Sequence, residues 1–252
     1  MKTKFLYHAE AVGASGHITL PYNETIEIQA SVALPIGGGH GSSRSENFKH
    51  RNVLSFHEAV AHVAGSRSEH GNPHHATLST VVITGLNILD VVTCDRVVMR
   101  LTSQQNVNDA GQAVGEPSFM LHGTHFDNLR IAGHVINIPL ATGVFNRCGN
   151  WAEVMKAYNG DLKPFALLAG EGDPQEKGTL GFTFAQIPDE LPGGLTKVDH
   201  GIHVDHFGTV YLGEIFISRS MRRVQMLQVE LGCSVEGCVG IGGGVGNGTL
   251  WP

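Results

Sequence analysis

The side chains in this chain best suited to chemistry are its histidines, fifteen among 252 residues. Neutral imidazole binds divalent metals, provided the strand or turn spacing lets the ligands converge. Three groupings have such spacing: His122 with His125, His74 with His75, and His200, His203, Asp205 and His206 together. On a strand, His203 and Asp205 point to one side, as paired ligands do. His206 adds an imidazole, and His122 or His125 completes a two-histidine, one-carboxylate set. On this reading the chain is a metal-dependent enzyme with a divalent metal as cofactor. The opposing reading has these histidines on surfaces and in loops, hydrogen-bonded to backbone. It is favoured because no spacing matches an established ligand pattern such as H-E-x-x-H. A third use is pH-sensitive assembly, since imidazole titrates near neutrality.

Other chemistry is sparser. No G-x-S-x-G nucleophile motif occurs, and Gly13-Ala14-Ser15-Gly16 and Gly41-Ser42-Ser43 read as ordinary loops. Asp189 and Glu190 sit in a Pro/Gly-rich loop, where a solvated surface is the expectation. Of the four cysteines, Cys94, Cys148, Cys233 and Cys238, none form a C-x-x-C pair. Cys233 and Cys238 enclose a short turn that a small disulfide could close, but free thiols are the preferred reading. The net charge is −6, and the densest basic stretch is Arg219 to Arg223. Phosphate neutralisation needs clustered cations, so nucleic acid is not expected as a partner.

The elements that must position these groups read as β-strands. The central stretch, Ala76 to Ser103, is rich in β-branched residues and alternates Val97, Met99 and Leu101 with Val98, Arg96 and Arg100. It predicts strands at about 78–84 and 86–102, with a bend or bulge at Gly85 and a break near Asp90. Residues 4–12 and 24–34 alternate similarly, the second with Ile26, Ile28, Ala30, Val32 and Leu34 on one face. Further strands are expected at 53–64, in two or three short pieces over 118–140, at 180–184, and as a hairpin of 208–218 and 222–231. In the last segment the apolar phase shifts from Val224 and Met226 to Leu227, Val229 and Leu231, which predicts a β-bulge near Met226. Residues 36–52, 66–75, 104–117, 161–178 and 188–200 read as loops, turns or irregular chain, and 239–249 as a second glycine-rich loop ending in an apolar Leu250-Trp251-Pro252. Trp251 is expected to dock on this chain or a neighbour. One helix is signalled, with Asn150 as cap, Glu153 as its reciprocal partner, and Trp151, Val154, Met155 and Tyr158 as the apolar stripe.

Charged residues are only 16% of the chain and glycines number 33, which fits a turn-rich β protein and not a helical bundle. The expected fold is an all-β single domain over 1–252, sandwich-like or partly solenoid, with one short helix. The N-terminus starts like a signal peptide, but His8 and Glu10 interrupt the apolar region, and no run is long enough to span a bilayer. The expectation is a cytoplasmic chain, with surface or extracellular placement by unusual export as the alternative.

Three segments resemble the bacterial choice-of-anchor P type proteins: ATLSTVVITGLNILDVVTCDRVVMRLTS, HGTHFDNLRIAGHVINIP and DHFGTVYLGEIFIS. The resemblance implies a β-rich, non-catalytic module and transfers no functional residue. Members of that group look secreted and surface-attached, whereas neither an export signal nor a sorting tail is read here, so a different localisation is expected. The leading functional expectation is a structural or self-associating protein. The alternatives are a metal-dependent enzyme using His122, His125, His203, Asp205 and His206, or a small-molecule or glycan-binding module.

Overall fold

The computed structural model describes residues 4–68, 72–167 and 178–251, the last five by backbone alone. In chain order the strands are β1 (Lys4–Leu20), β2 (Glu24–Ala33), β3 (Gly39–His50), β4 (Leu54–Ser68), β5 (His74–Ile88) and β6 (Val92–Asn106). Four short strands follow: β7 (Ser118–Met120), β8 (His125–Asp127), β9 (Arg130–Ile131) and β10 (His134–Val135). Two helices, α1 (Thr142–Arg147) and α2 (Trp151–Ala157), and a 3₁₀ turn at Lys163–Phe165 lead to β11 (Thr179–Thr183), β12 (Leu195–Val198) and β13 (Gly201–Val204). The chain closes with β14 (Gly208–Ser218), β15 (Met221–Gly232) and β16 (Glu236–Trp251).

These strands form two eight-stranded sheets with antiparallel pairing throughout, so the fold is an all-β sandwich. Sheet I runs β12-β13-β14-β15-β16-β1-β2, with β11 on β14. Sheet II runs β10-β9-β6-β5-β4-β3, with β7 and β8 on β6. The two ends of the chain are central neighbours in sheet I, because β1 pairs with β16 from Lys4↔Trp251 to Leu20↔Glu236.

The sheets meet over small residues. Ala9, Ala11, Ala14, Ala59 and Ala61 are fully buried between them. A Cβ on Gly13 would stand 3.2 Å from that of Ala59, and one on Gly246 would stand 3.2 Å from Leu101 Cδ2. The Ser79 hydroxyl of sheet II donates to the Val245 carbonyl of sheet I at 2.7 Å. This approach explains why the glycine-rich segment 239–249 is strand and not the expected loop. Its glycines give Met99 and Leu101 room against bare backbone, and a side chain at Gly244 would collide with Met99.

Each sheet is crossed by a row at which the alternation of faces reverses without an inserted residue. In sheet I, Ala30, Gly13, Gly242, Met226 and Gly213 lie opposite one another on β2, β1, β16, β15 and β14, by the pairs that flank them. Every second member is left-handed: Ala30 at φ 50°, Gly242 at 67° and Gly213 at 63°. In sheet II the corresponding row is Asn47, His57, Gly85, Asp95 and Asn128. Again alternate members are left-handed, Asn47 at 49°, Gly85 at 64° and Asn128 at 51°. The bulge expected near Met226 is therefore corrected. The phase does shift there, but the registers with β14 and β16 are the same on both sides of it, and the distortion sits on the flanking glycines. Gly85 likewise bends its strand without shifting register.

The reversals are complementary. In sheet I they turn two successive residues toward the core, as with Gly13–Ala14, Met226–Leu227 and Ile241–Gly242. In sheet II they turn two successive residues outward, as with His57–Glu58 and Asp95–Arg96. Sheet II thus carries a polar ridge, where Arg44 pairs with Glu46 and Glu58, Arg96 with Asp127, and Asn128 with Asp95. Sheet I carries a hollow on its outer face.

Other expectations fare variously. Residues 36–52 are mostly the edge strand β3, which reads as a loop because neither of its faces is deeply buried. Gly13–Gly16 and Gly41–Ser43 lie within strands. Ile28, placed in the buried stripe by its spacing, is 61% exposed, because β2 reverses at Ala30 and its register with β1 shifts between Ala14 and Gly16. The break at Asp90 is a three-residue turn with Leu89 and Asp90 left-handed, held by Asn87–Asp90 side-chain bonds of 2.6 and 2.8 Å. The α2 capping box forms as expected, Asn150 Oδ1 accepting from Glu153 N at 2.9 Å. The six-residue α1 was not signalled. All four cysteines are free. Among the described residues no helix is long and apolar enough to cross a membrane. The Trp251 side chain and residues 168–177 lie outside what is described.

Candidate functional site

The five residues of the proposed metal set fall on different sheets. His122 follows β7 and His125 lies in β8, both on sheet II, whereas His203 is in β13 and Asp205 and His206 form the turn to β14 on sheet I. His125 Nδ1 is bonded to the Gly123 carbonyl at 2.7 Å, and its Nε2 lies 3.5 Å from Asp127. His203 Nδ1 approaches Thr209 Oγ1 at 3.4 Å. Of the remaining pair, His74 is bonded to the Asn72 carbonyl, and His75 stacks on Phe5 and meets the Tyr7 hydroxyl at 2.7 Å. Among the described residues no three His, Cys, Asp or Glu side chains are grouped as a metal ion requires.

The outer face of sheet I offers a different site. Along the reversal row few side chains point outward, and the surface sinks into a pocket of about 270 Å³. Its floor is backbone at Gly240, Gly243 and Gly244. Gln225 lies flat on that floor, its Nε2 donating to the Leu227 carbonyl at 3.0 Å and the Ile241 carbonyl at 2.8 Å. Alanine at 240 or 243 would press a methyl group to 3.2 Å from the Gln225 amide. Arg223 and Glu10 form opposite walls, aligned with one another through Val245, which pairs with both. Val12, Ile28 and the Ser15 hydroxyl complete the lining.

The same face continues to the far end of the row, where His200 Nε2 meets Glu214 Oε1 at 3.2 Å. Glu214 is only 8% exposed, so this contact is its main compensation for burial. The His200 ring lies 4.9 Å from that of Tyr211, whose hydroxyl donates to Glu230 Oε2 at 3.3 Å. Burial, then the Glu230 charge, raises the Tyr211 pKa and keeps the phenol protonated. Beside His200 opens a cleft of about 660 Å³, with Phe165 and Leu167 on one wall and Asp189 and Lys197 on another. Lys197 Nζ bonds Asp189 at 2.6 Å, which holds that carboxyl below its ordinary range. Across the strands, Cys238 lies between Glu230 of β15 and His17 of β1. Burial and the Glu230 charge raise the Cys238 pKa, so it is a thiol and not an activated thiolate.

A family model described as a domain of unknown function, DUF8256, matches residues 5–169. The chain belongs to that family. No curated protein and no solved structure matches it. The DUF8256 segment supplies every strand of sheet II but only β1 and β2 of sheet I. The pocket therefore joins Glu10, Val12 and Ser15 from the family segment to Arg223, Gln225 and the glycines from outside it.

Sequence reading placed His200 in a cluster of interest but missed Glu10, Arg223 and Gln225. The one usable signal was the phase shift at Met226, which marks the row that hollows the sheet.

Proposed function

We propose that this protein is a β-sandwich binding module that receives a small ligand on the outer face of sheet I. The observation that carries the reading is the pocket over the reversal row, with bare glycine backbone as floor and side chains of opposite charge as walls. Pockets with a few convergent polar groups are the default binding sites of a fold. The test is a screen of small polar fragments against isotope-labelled protein by NMR. Chemical-shift changes confined to residues 10–15, 223–228 and 240–245 support the reading, and fragments that bind only elsewhere, or nowhere, refute it.

A second reading, self-association, is favoured by a separate observation. Four large apolar side chains, Leu20, Tyr22, Ile28 and Ile36, are exposed along the β2 edge and its flanking turns. The neighbouring edge β3 instead carries the Arg44–Glu46–Glu58 ion pairs, a common guard against edge pairing. The occupant of the β2 edge would be the same edge of a second copy. Replacing Ile28 by Lys should then lower the sedimenting mass, and an unchanged sedimentation profile counts against it.

A further inference from the structure

We propose that the pocket over the reversal row takes a zwitterion of amino-acid size, its carboxylate on Arg223 and its ammonium on Glu10. This rests on the binding reading above and narrows it to one class of ligand.

Three features point to that class. The first is an unpaired cation facing an anion. Arg223, Val245 and Glu10 stand in one row on β15, β16 and β1, and the two charged residues flank the valine. Two strand spacings, about 9–10 Å, separate their Cβ atoms. Glu10 bonds His8 Nε2 at 3.1 Å, and Arg223 has no hydrogen-bond or ion-pair partner among the described residues. A ligand with both charges bridges the gap, and guanidinium binds carboxylate with paired hydrogen bonds.

The second feature is the open acceptor. Both Gln225 amide hydrogens go to backbone carbonyls, and Oε1 has no donor among the described residues. An ammonium has three donors, one more than Glu10 alone uses well. Ser15 lines the same pocket, and its hydroxyl has no hydrogen bond among the described residues.

The third feature is size and lining. About 270 Å³ falls just below the range of drug-sized sites, which suits an amino acid or a dipeptide. Val12, Ile28 and Val245 offer an apolar patch to a side chain. Among the described residues no aromatic ring lines the pocket, so the stacking that favours sugars is not offered by them.

The test uses three probes on the full chain: L-leucine, leucinamide with the cation alone, and N-acetyl-L-leucine with the anion alone. Amide shifts at Val12, Gly243 and Gly244 give the affinity of each. Leucine should bind at least tenfold tighter than either singly charged analogue. Arg223→Gln should erase its advantage over leucinamide, and Glu10→Gln its advantage over N-acetyl-leucine, with spectra otherwise unchanged. Equal affinities for the three probes, or variants that leave the ranking intact, overturn the proposal. If polar fragments shift these amides and no leucine probe does, the zwitterion falls and the binding module stands. If nothing shifts them, both fall.

Discussion

Replacing Gly242 by Ala tests whether the reversal row is a backbone requirement. Gly242 sits at φ 67°, where a residue with a Cβ loses about 1–2 kcal/mol. The new methyl would also stand 3.1 Å from Met226 Cβ and 3.2 Å from its Cγ, atoms fixed close to the β15 backbone. Overpacking of this kind costs about 1–3 kcal/mol. The lower chain entropy of unfolded alanine offsets about 0.5–1 kcal/mol. A net destabilisation of about 2–3 kcal/mol should remain, read as a lowered urea midpoint at unchanged slope. Gly240→Ala is the control on the same strand. Its φ is ordinary, and its methyl would meet only the movable end of Gln225 at 3.2 Å, so a change within about 0.5 kcal/mol is expected. Equal midpoints for the two variants would refute the claim that left-handed glycine holds the row.

Arg222 is 1% exposed, and its guanidinium bonds the carbonyls of Ser218, Met221 and Gly149 while lying 4.5 Å over the Phe119 ring. Burial pulls its pKa down to about 9, so it is still charged at neutrality, and Arg222→Met should cost about 3 kcal/mol or more in thermal unfolding, because these carbonyls lose a charged donor. Burial pushes the Cys94 thiol up to about 11 from an ordinary value near 9, so an alkylating reagent at pH 8 should modify exposed Cys238 first and Cys94 only on unfolding, as mass spectrometry of digested protein would show. The sign for stability follows: the native state keeps the Cys94 proton, so its contribution is complete below pH 9 and is lost as pH rises toward 11, and an urea midpoint that holds constant over that window in wild type but falls in Cys94→Ala would contradict it.

Strands with one wet and one dry face were legible, because period-two alternation is local. That covers β1, β4, β5, β6, β14 and β15, and the Asn150–Glu153 capping box was legible for the same reason. Segments whose strand character depends on a neighbour were not. Gly240–Gly248 shows no apolar alternation, since its inward positions after Ile241, at Gly242, Gly244 and Gly246, carry no side chain, and Met99 and Leu101 fill that space. Gly39–His50 shows none because an edge strand with a polar outer side needs little burial. The pocket was hidden for a further reason. Glu10 and Arg223 come from near opposite ends of the chain and meet only because β16 returns to pair with β1. The histidines drew attention by number, yet His74, His75 and His125 are held by local bonds and stacking.

The two reversal rows make one device. Doubling the inward residues in sheet I and the outward residues in sheet II lets the sheets nest, which is why Gly13 and Ala59 can approach so closely. Nesting alone would be satisfied by glycine at every left-handed position. Yet Ala30 takes φ 50° with a Cβ, at a cost of about 1–2 kcal/mol, and Asn47 and Asn128 do the same in sheet II at lower cost. The glycine floor and the facing charges coincide on the hollow side of sheet I, whereas the ridge on sheet II closes its charges into ion pairs among themselves. A surface that only had to stay wet would look like the ridge. The hollow, where Arg223 has no partner among the described residues, is the face on which the proposed binding rests.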